Sequence, residues 1–217
     1  MDPTAHELAP ASSEMLAGEI TPFARALGSP EVLSSLSGLA ELVGTPAPDS
    51  LPTVRSFLAQ YRERLLFPVE LRAIGEAYAL ASRGAVRELV ALDRRLGPGF
   101  GRSAFAEASR HAGRVQLRRL RPLRDRTLQR YLRAVEAGEA TGWNVVVYGL
   151  LLALFGLPLR QGLVHYATQT QHSLLDSATA QLALNPAQQQ SLRNECDAPV
   201  PGAVQQVMPA FVPTVVQ

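Results

Sequence analysis

Val145-Val146-Val147-Tyr148-Gly149-Leu150-Leu151-Leu152-Ala153-Leu154-Phe155-Gly156-Leu157-Pro158-Leu159 is the stretch whose reading decides the fold. No charged side chain occurs between Glu139 and Arg160. A segment that is apolar on every side has to be hidden, either in a large core or in a bilayer. This run contains two glycines and a proline and falls short of the ~20 residues a spanning helix needs. It also lacks a basic anchor on one side and an aromatic belt. We therefore read it as the central helix of a soluble helical domain. Gly149 and Gly156 are seven residues apart and share one helix face, where the missing side chains let a neighbouring backbone approach. A long amphipathic stretch then runs to Leu184, its apolar stripe formed by Leu159, Leu163, Ala167, Thr170, Leu174, Ala178 and Leu182.

The rest of the chain fits such a core. Of 217 residues, 47% are hydrophobic, 18% charged and only 6% aromatic, the balance of a folded globule. Abundant Ala, Leu and Arg favour helix over strand. All 21 basic residues are arginines, so no phosphate-binding loop ending in lysine, lysine Schiff base or kinase-type lysine is available. Cys196 stands alone, which excludes an internal disulfide and a cysteine metal cluster. Met1-Asp2-Pro3 opens without a basic region or an apolar core, so no secretory signal is visible and a reducing cytoplasm is expected.

Upstream, residues 1–11 read as a mobile segment. Ser12 or Ser13 caps a helix to about Leu27, and Ser29-Pro30-Glu31 starts another that stops at Gly44. A loop over 45–50 leads to a helix opening near Pro52, which Phe67-Pro68 should break. Gly84 marks a kink or tight turn, and Gly97-Pro98-Gly99-Phe100-Gly101 reads as a helix–helix turn. After Pro186 a Gln-rich helix reaches about Arg193. Residues 197–217 form a proline-broken apolar tail that either folds back or stays extended until a partner orders it. The expectation is all-α, a compact bundle of about eight to ten helices around the apolar one, with residues 12–196 as a single domain.

Charge is distributed unevenly. Residues 102–133 hold ten arginines against Glu107 and Asp125. Arg110, Arg114, Arg118 and Arg121 recur at spacings of four, four and three, so they form one ridge along a helix. Beyond Pro122, Arg126, Arg130 and Arg133 form another, opposite Leu128, Tyr131, Leu132 and Val135. Such ridges suit a solvated face, an acidic protein partner, or nucleic acid. Arginine's planar fork matches interface carboxylates, and no aromatic residues interleave to stack bases. A nucleic-acid-binding helical protein or a general adaptor is the alternative function.

Catalytic and metal signals are weak. His165, Gln169, His172 and Asp176 share a face, yet the histidines lie about 10 Å apart along the helix axis, too far for one ion to bridge. Only His172 with Asp176 is within reach of a common metal. The expected role is a wetted or partner-facing side. Glu63, Glu70 and Glu76 fall on charged, solvated faces, and nothing local to Cys196 supports a nucleophile. No catalytic residue and no cofactor are expected.

Ser109-x3-Gly113-x3-Leu117-x2-Leu120 resembles the Ser…Gly…Leu helix of the urease accessory protein UreF family. The Leu80–Asp93 stretch, ending in Leu89-Val90-Ala91-Leu92-Asp93, is similar to that family's Leu-x-x-Leu-Asp helix. Val147–Leu157 with its Gly149, Ala153, Leu154 and Gly156 resembles the family's apolar helix, and Tyr166 follows in the next one. The blocks agree in order over roughly residues 54–190. The resemblance implies a UreF-like, non-enzymatic, cytoplasmic, dimeric factor. Such a factor binds the accessory protein UreD/UreH, docks the GTPase UreG and serves nickel insertion into apo-urease without holding the nickel itself. It also implies that the arginine ridges and a C-terminal tail containing Phe211 face partners, while Ser109, Gly113, Leu117, Gly149, Gly156 and Tyr166 pack helices.

Overall fold

The computed structural model describes residues 36–211 apart from 47, 101–103 and 183. The helix expected from Ser12 or Ser13 and the start at Ser29-Pro30-Glu31 lie outside the described residues. Among the described residues every regular element is helical.

Helix α1 (Leu36–Leu42) ends at Gly44, whose φ of 69° lies in the left-handed region. Helix α2 (Leu51–Tyr61) opens at Ser50, whose N–H donates to the Thr53 hydroxyl at 2.8 Å. The expected break at Phe67-Pro68 does not occur. The chain passes through a π-helical stretch, Arg62–Glu70, directly into α3 (Leu71–Ser82). A proline in α-helical register clashes with the carbonyl four residues back. Widening the turn relieves that clash, and the Leu71 N–H bonds back to the Leu66 carbonyl, five residues earlier.

Gly84, with φ 68°, makes a tight turn into α4 (Val86–Phe100). Here too a sequence expectation fails: α4 runs through Gly97-Pro98-Gly99 instead of turning there. Phe100 anchors the extra turn. It is buried, with its ring edge-on to Phe105 at 5.5 Å and to Trp143 at 5.1 Å. Helix α5 (Ala104–Arg119) and α6 (Arg126–Glu136) follow, and the Asp125 carboxylate caps α6 by accepting the Leu128 N–H at 2.8 Å. Then come α7 (Asn144–Leu154), α8 (Leu159–Leu182), α9 (Pro186–Asp197), α10 (Val200–Val207) and a 3-10 turn, Met208–Ala210. Asn185 and Gln188 cap the start of α9 reciprocally.

Helix α7 is the centre of the bundle. Helices α3 and α5 pack on it most closely, with α4 and α8 also touching it. Val145, Val146, Val147, Leu150, Leu151 and Leu152 are all buried, so apolar residues point in every direction around its axis. Gly149 marks the closest approach, because a Cβ there would collide with the Ile74 carbonyl oxygen and crowd Ala77 of α3. Gly156 departs from its expected packing role. It lies past the end of α7 with open space around it, and its φ of 63° turns the chain toward α8. The apolar stripe of α8 is buried from Leu159 to Ala178. The described part of the C-terminal tail folds back: Val200, Val204 and Val207 are buried against α8 and α3. No helix among the described residues is long and apolar enough to cross a membrane.

Candidate functional site

The motif residues converge on the entrance to α7. Asp93, buried on α4, accepts the N–H groups of Thr141, of Gly142 at 3.0 Å and of Trp143 at 3.1 Å. The Tyr131 hydroxyl donates to the same carboxylate at 2.6 Å, and the Trp143 indole N–H donates to the Asp93 carbonyl at 2.9 Å. A helix N-terminus carries unpaired N–H groups and partial positive charge, which a carboxylate satisfies. From α5, the Ser109 hydroxyl accepts the Asn144 N–H at 3.2 Å. One turn on, Gly113 lies so close beneath the Gly142 carbonyl that any side chain would collide with it. Leu117 is buried beside that loop, and Tyr166 of α8 sets its ring against Tyr148 of α7 with centroids 5.1 Å apart. These residues position one helix and offer no reactive pair. The sequence quoted Asp93 within a motif but held no clue to its partners, which lie 38 to 50 residues away.

All seven predicted arginines are exposed. Arg110, Arg114 and Arg118 line α5, and Arg121 follows its end. Arg121 pairs with Glu136 of α6, and Arg110 lies 3.9 Å from Glu107. Arg114 donates through Nε to the Thr141 carbonyl at 3.0 Å, which ties the ridge to the α7 entrance. Among the described residues, Arg114, Arg118, Arg126, Arg130 and Arg133 have no carboxylate within ion-pair distance. Exposed pairs contribute only about 0–1 kcal/mol each, so the ridges add little to stability and remain open to a ligand. Phe211 is half-buried on its own chain, its ring against Gly75 of α3.

The polar face of α8 is wetted only in part: Asp176 is exposed, and Gln169 and His172 are half-buried. His165 is buried, and that burial pushes its pKa down. His172 and Asp176 do not meet. Helix α9 packs along this side, so His172 Nε2 sits 3.0 Å from the Asp197 carboxylate while Asp176 pairs with Arg193. Among the described residues no group of three or more His, Cys, Asp or Glu gathers into a metal-sized cluster. Cys196 is buried, and desolvation pushes its thiol up to about 11 despite Arg62 Nη1 at 3.7 Å. A protonated, buried thiol is a poor nucleophile.

The chain thus presents helix-positioning motifs inside and unneutralised guanidiniums outside. The sequence profile of the UreF family matches residues 50–196, from the cap of α2 to the end of α9. The chain belongs to the UreF family. Comparison with curated proteins finds no match. Membership implies a urease accessory role exerted through interaction with other urease accessory proteins, and not catalysis. The matched span contains the whole α7 entrance and both arginine ridges; α10 and Phe211 lie beyond it.

One buried group of this UreF-family fold escaped the sequence reading. Glu70 was placed on a solvated face, but the π-helical register turns it inward until it is fully buried. The Tyr61 hydroxyl donates to it at 2.6 Å, whereas among the described residues its other oxygen, the Tyr166 hydroxyl and the Thr170 hydroxyl have no hydrogen-bond partner. Desolvation raises the Glu70 pKa to about 7, opposed by the hydrogen bond from Tyr61. A carboxyl that holds its proton more tightly folded than unfolded stabilises the fold fully below its ordinary value, and that contribution is lost as pH rises through the folded value. Stability should therefore fall between about pH 4.5 and 7 by roughly 3 kcal/mol from this group. Glu70→Gln should flatten that slope, as read from urea unfolding midpoints at pH 5 and pH 8. An unchanged slope would place the charge elsewhere.

Proposed function

We propose that this chain is a homodimeric, cytoplasmic urease maturation factor that assembles with UreD/UreH and the GTPase UreG to pass nickel into apo-urease. It acts by docking. The metal is cargo of the complex, held by other chains, and GTP hydrolysis belongs to UreG. The observation that carries this reading is the family match over residues 50–196. The exposed, carboxylate-poor arginines of α5 and α6 support the choice of docking face, since a planar guanidinium forms paired, charge-assisted bonds with a partner's carboxylates.

Charge reversal tests it. Arg114 is tied to Thr141, so the cleaner pair is Arg110→Glu with Arg118→Glu, two exposed residues two turns apart. This variant should keep its helical circular dichroism and lose about tenfold or more in affinity for UreD/UreH or UreG by titration calorimetry. Undiminished affinity for both partners would remove the ridge from the interface.

A further inference from the structure

A groove of about 580 Å³ lies between α4 and α6. Val86, Val90 and Ala134 give it an apolar floor, while Arg87 and Arg94 stand on one wall and Arg130 and Arg133 on the other. Arg87 and Arg94 are seven apart, two turns along the same face of α4. All four guanidiniums are exposed, and among the described residues none has a carboxylate partner. The lining includes one acid, Glu139, whose backbone carbonyl accepts Arg94 Nε. Arg133 Nε is held by the Gln129 carbonyl at 3.3 Å, leaving its terminal nitrogens available.

We infer that this groove receives an acidic amphipathic segment of a partner protein, with its carboxylates on the two arginine walls and its apolar side chains on the floor between them. The inference rests on the docking function proposed above and deepens it by naming a second contact and its chemistry. Opposed cationic walls around an apolar strip complement a helix whose apolar stripe is flanked by acids on both sides. A nucleotide or polyphosphate fits less well. Among the described residues no aromatic ring lines the groove to stack a base, and a phosphate chain leaves the Val86–Val90–Ala134 floor uncovered. Arginine forks on both walls favour paired bonds to planar carboxylates.

The test is fluorescence anisotropy on the full chain. The probe is a labelled helical peptide with a leucine stripe flanked by glutamates, run beside the same peptide with glutamines. The glutamate peptide should bind, and the glutamine peptide should bind at least about tenfold more weakly. Arg87→Ala with Arg130→Ala should likewise weaken binding by about tenfold or more, whereas the exposed pair Arg72→Ala with Arg83→Ala, outside the groove, should not. Undiminished binding to the groove variant, equal binding of the two peptides, or displacement of the glutamate peptide by equimolar tripolyphosphate would overturn the inference. Failure here leaves the α5 ridge intact, because affinity for UreD/UreH or UreG after reversal of Arg110 and Arg118 is measured independently.

Discussion

Asp93→Ala will destabilise the fold by about 4 kcal/mol or more, the largest effect expected of any single polar substitution in the described core. The carboxylate serves three backbone N–H groups and the Tyr131 hydroxyl, all at the start of the central helix. Removing it strands several buried donors at once, each costing about 1–3 kcal/mol when unsatisfied. It also removes the negative charge that faces the positive end of α7. Asp93→Asn keeps the shape but turns an amide NH2 toward donors, so roughly half the loss should remain. Urea unfolding followed by circular dichroism reads both values. A loss below about 1 kcal/mol for the alanine variant would mean that the entrance loop is held by other contacts.

The second large effect is steric. Gly113→Ala should cost about 3 kcal/mol, the upper end of overpacking penalties, because its new methyl meets backbone and not a flexible side chain. The Gly142 carbonyl it meets cannot retreat easily. Gly142 has φ 80°, its N–H is bound by Asp93, and Leu117 and Val135 close the space around it. Gly99→Ala is the control. It lies in the last turn of α4, among the described residues no other element comes within 4 Å of a Cβ there, and a helical glycine-to-alanine change should be neutral or mildly stabilising. Thermal melts of the two variants should therefore diverge by many degrees. Coincident melts would show that α5 and the α7 entrance are not packed as described.

What could be read in advance follows from how each signal is encoded. The apolar run of α7 is legible because full burial leaves no room for charge, and the α8 stripe because a half-buried helix repeats every three to four residues. Gly44 and Gly84 announce turns through local backbone freedom alone. Pro68 and Pro98 misled for a shared reason. Proline penalises an α-turn locally, but tertiary burial of Leu65 and Leu66 in one case and of Phe100 in the other outweighs that penalty. Once the π-register is missed, Glu70 falls on the wrong face. His172 faces Asp197 because α9 covers that side of α8, which the composition of α8 alone leaves polar. Arg87 and Arg94 lie outside the charged window of residues 102–133, so counting charge along the chain could not join them to Arg130 and Arg133. The Asp93 hydrogen bonds are wholly tertiary and become visible only when α4 meets α7.

The central claim is that this chain serves urease through its arginine-bearing exterior, on a scaffold fixed by its inner motifs. Nickel content of apo-urease matured with UreD/UreH and UreG tests it most directly, comparing reactions that contain the wild-type chain, the Arg110→Glu/Arg118→Glu chain, or no chain. Loading should be high with the wild type and close to the no-chain level with the reversed variant, whose melting temperature stays the same. Equal loading in all three reactions would contradict the claim.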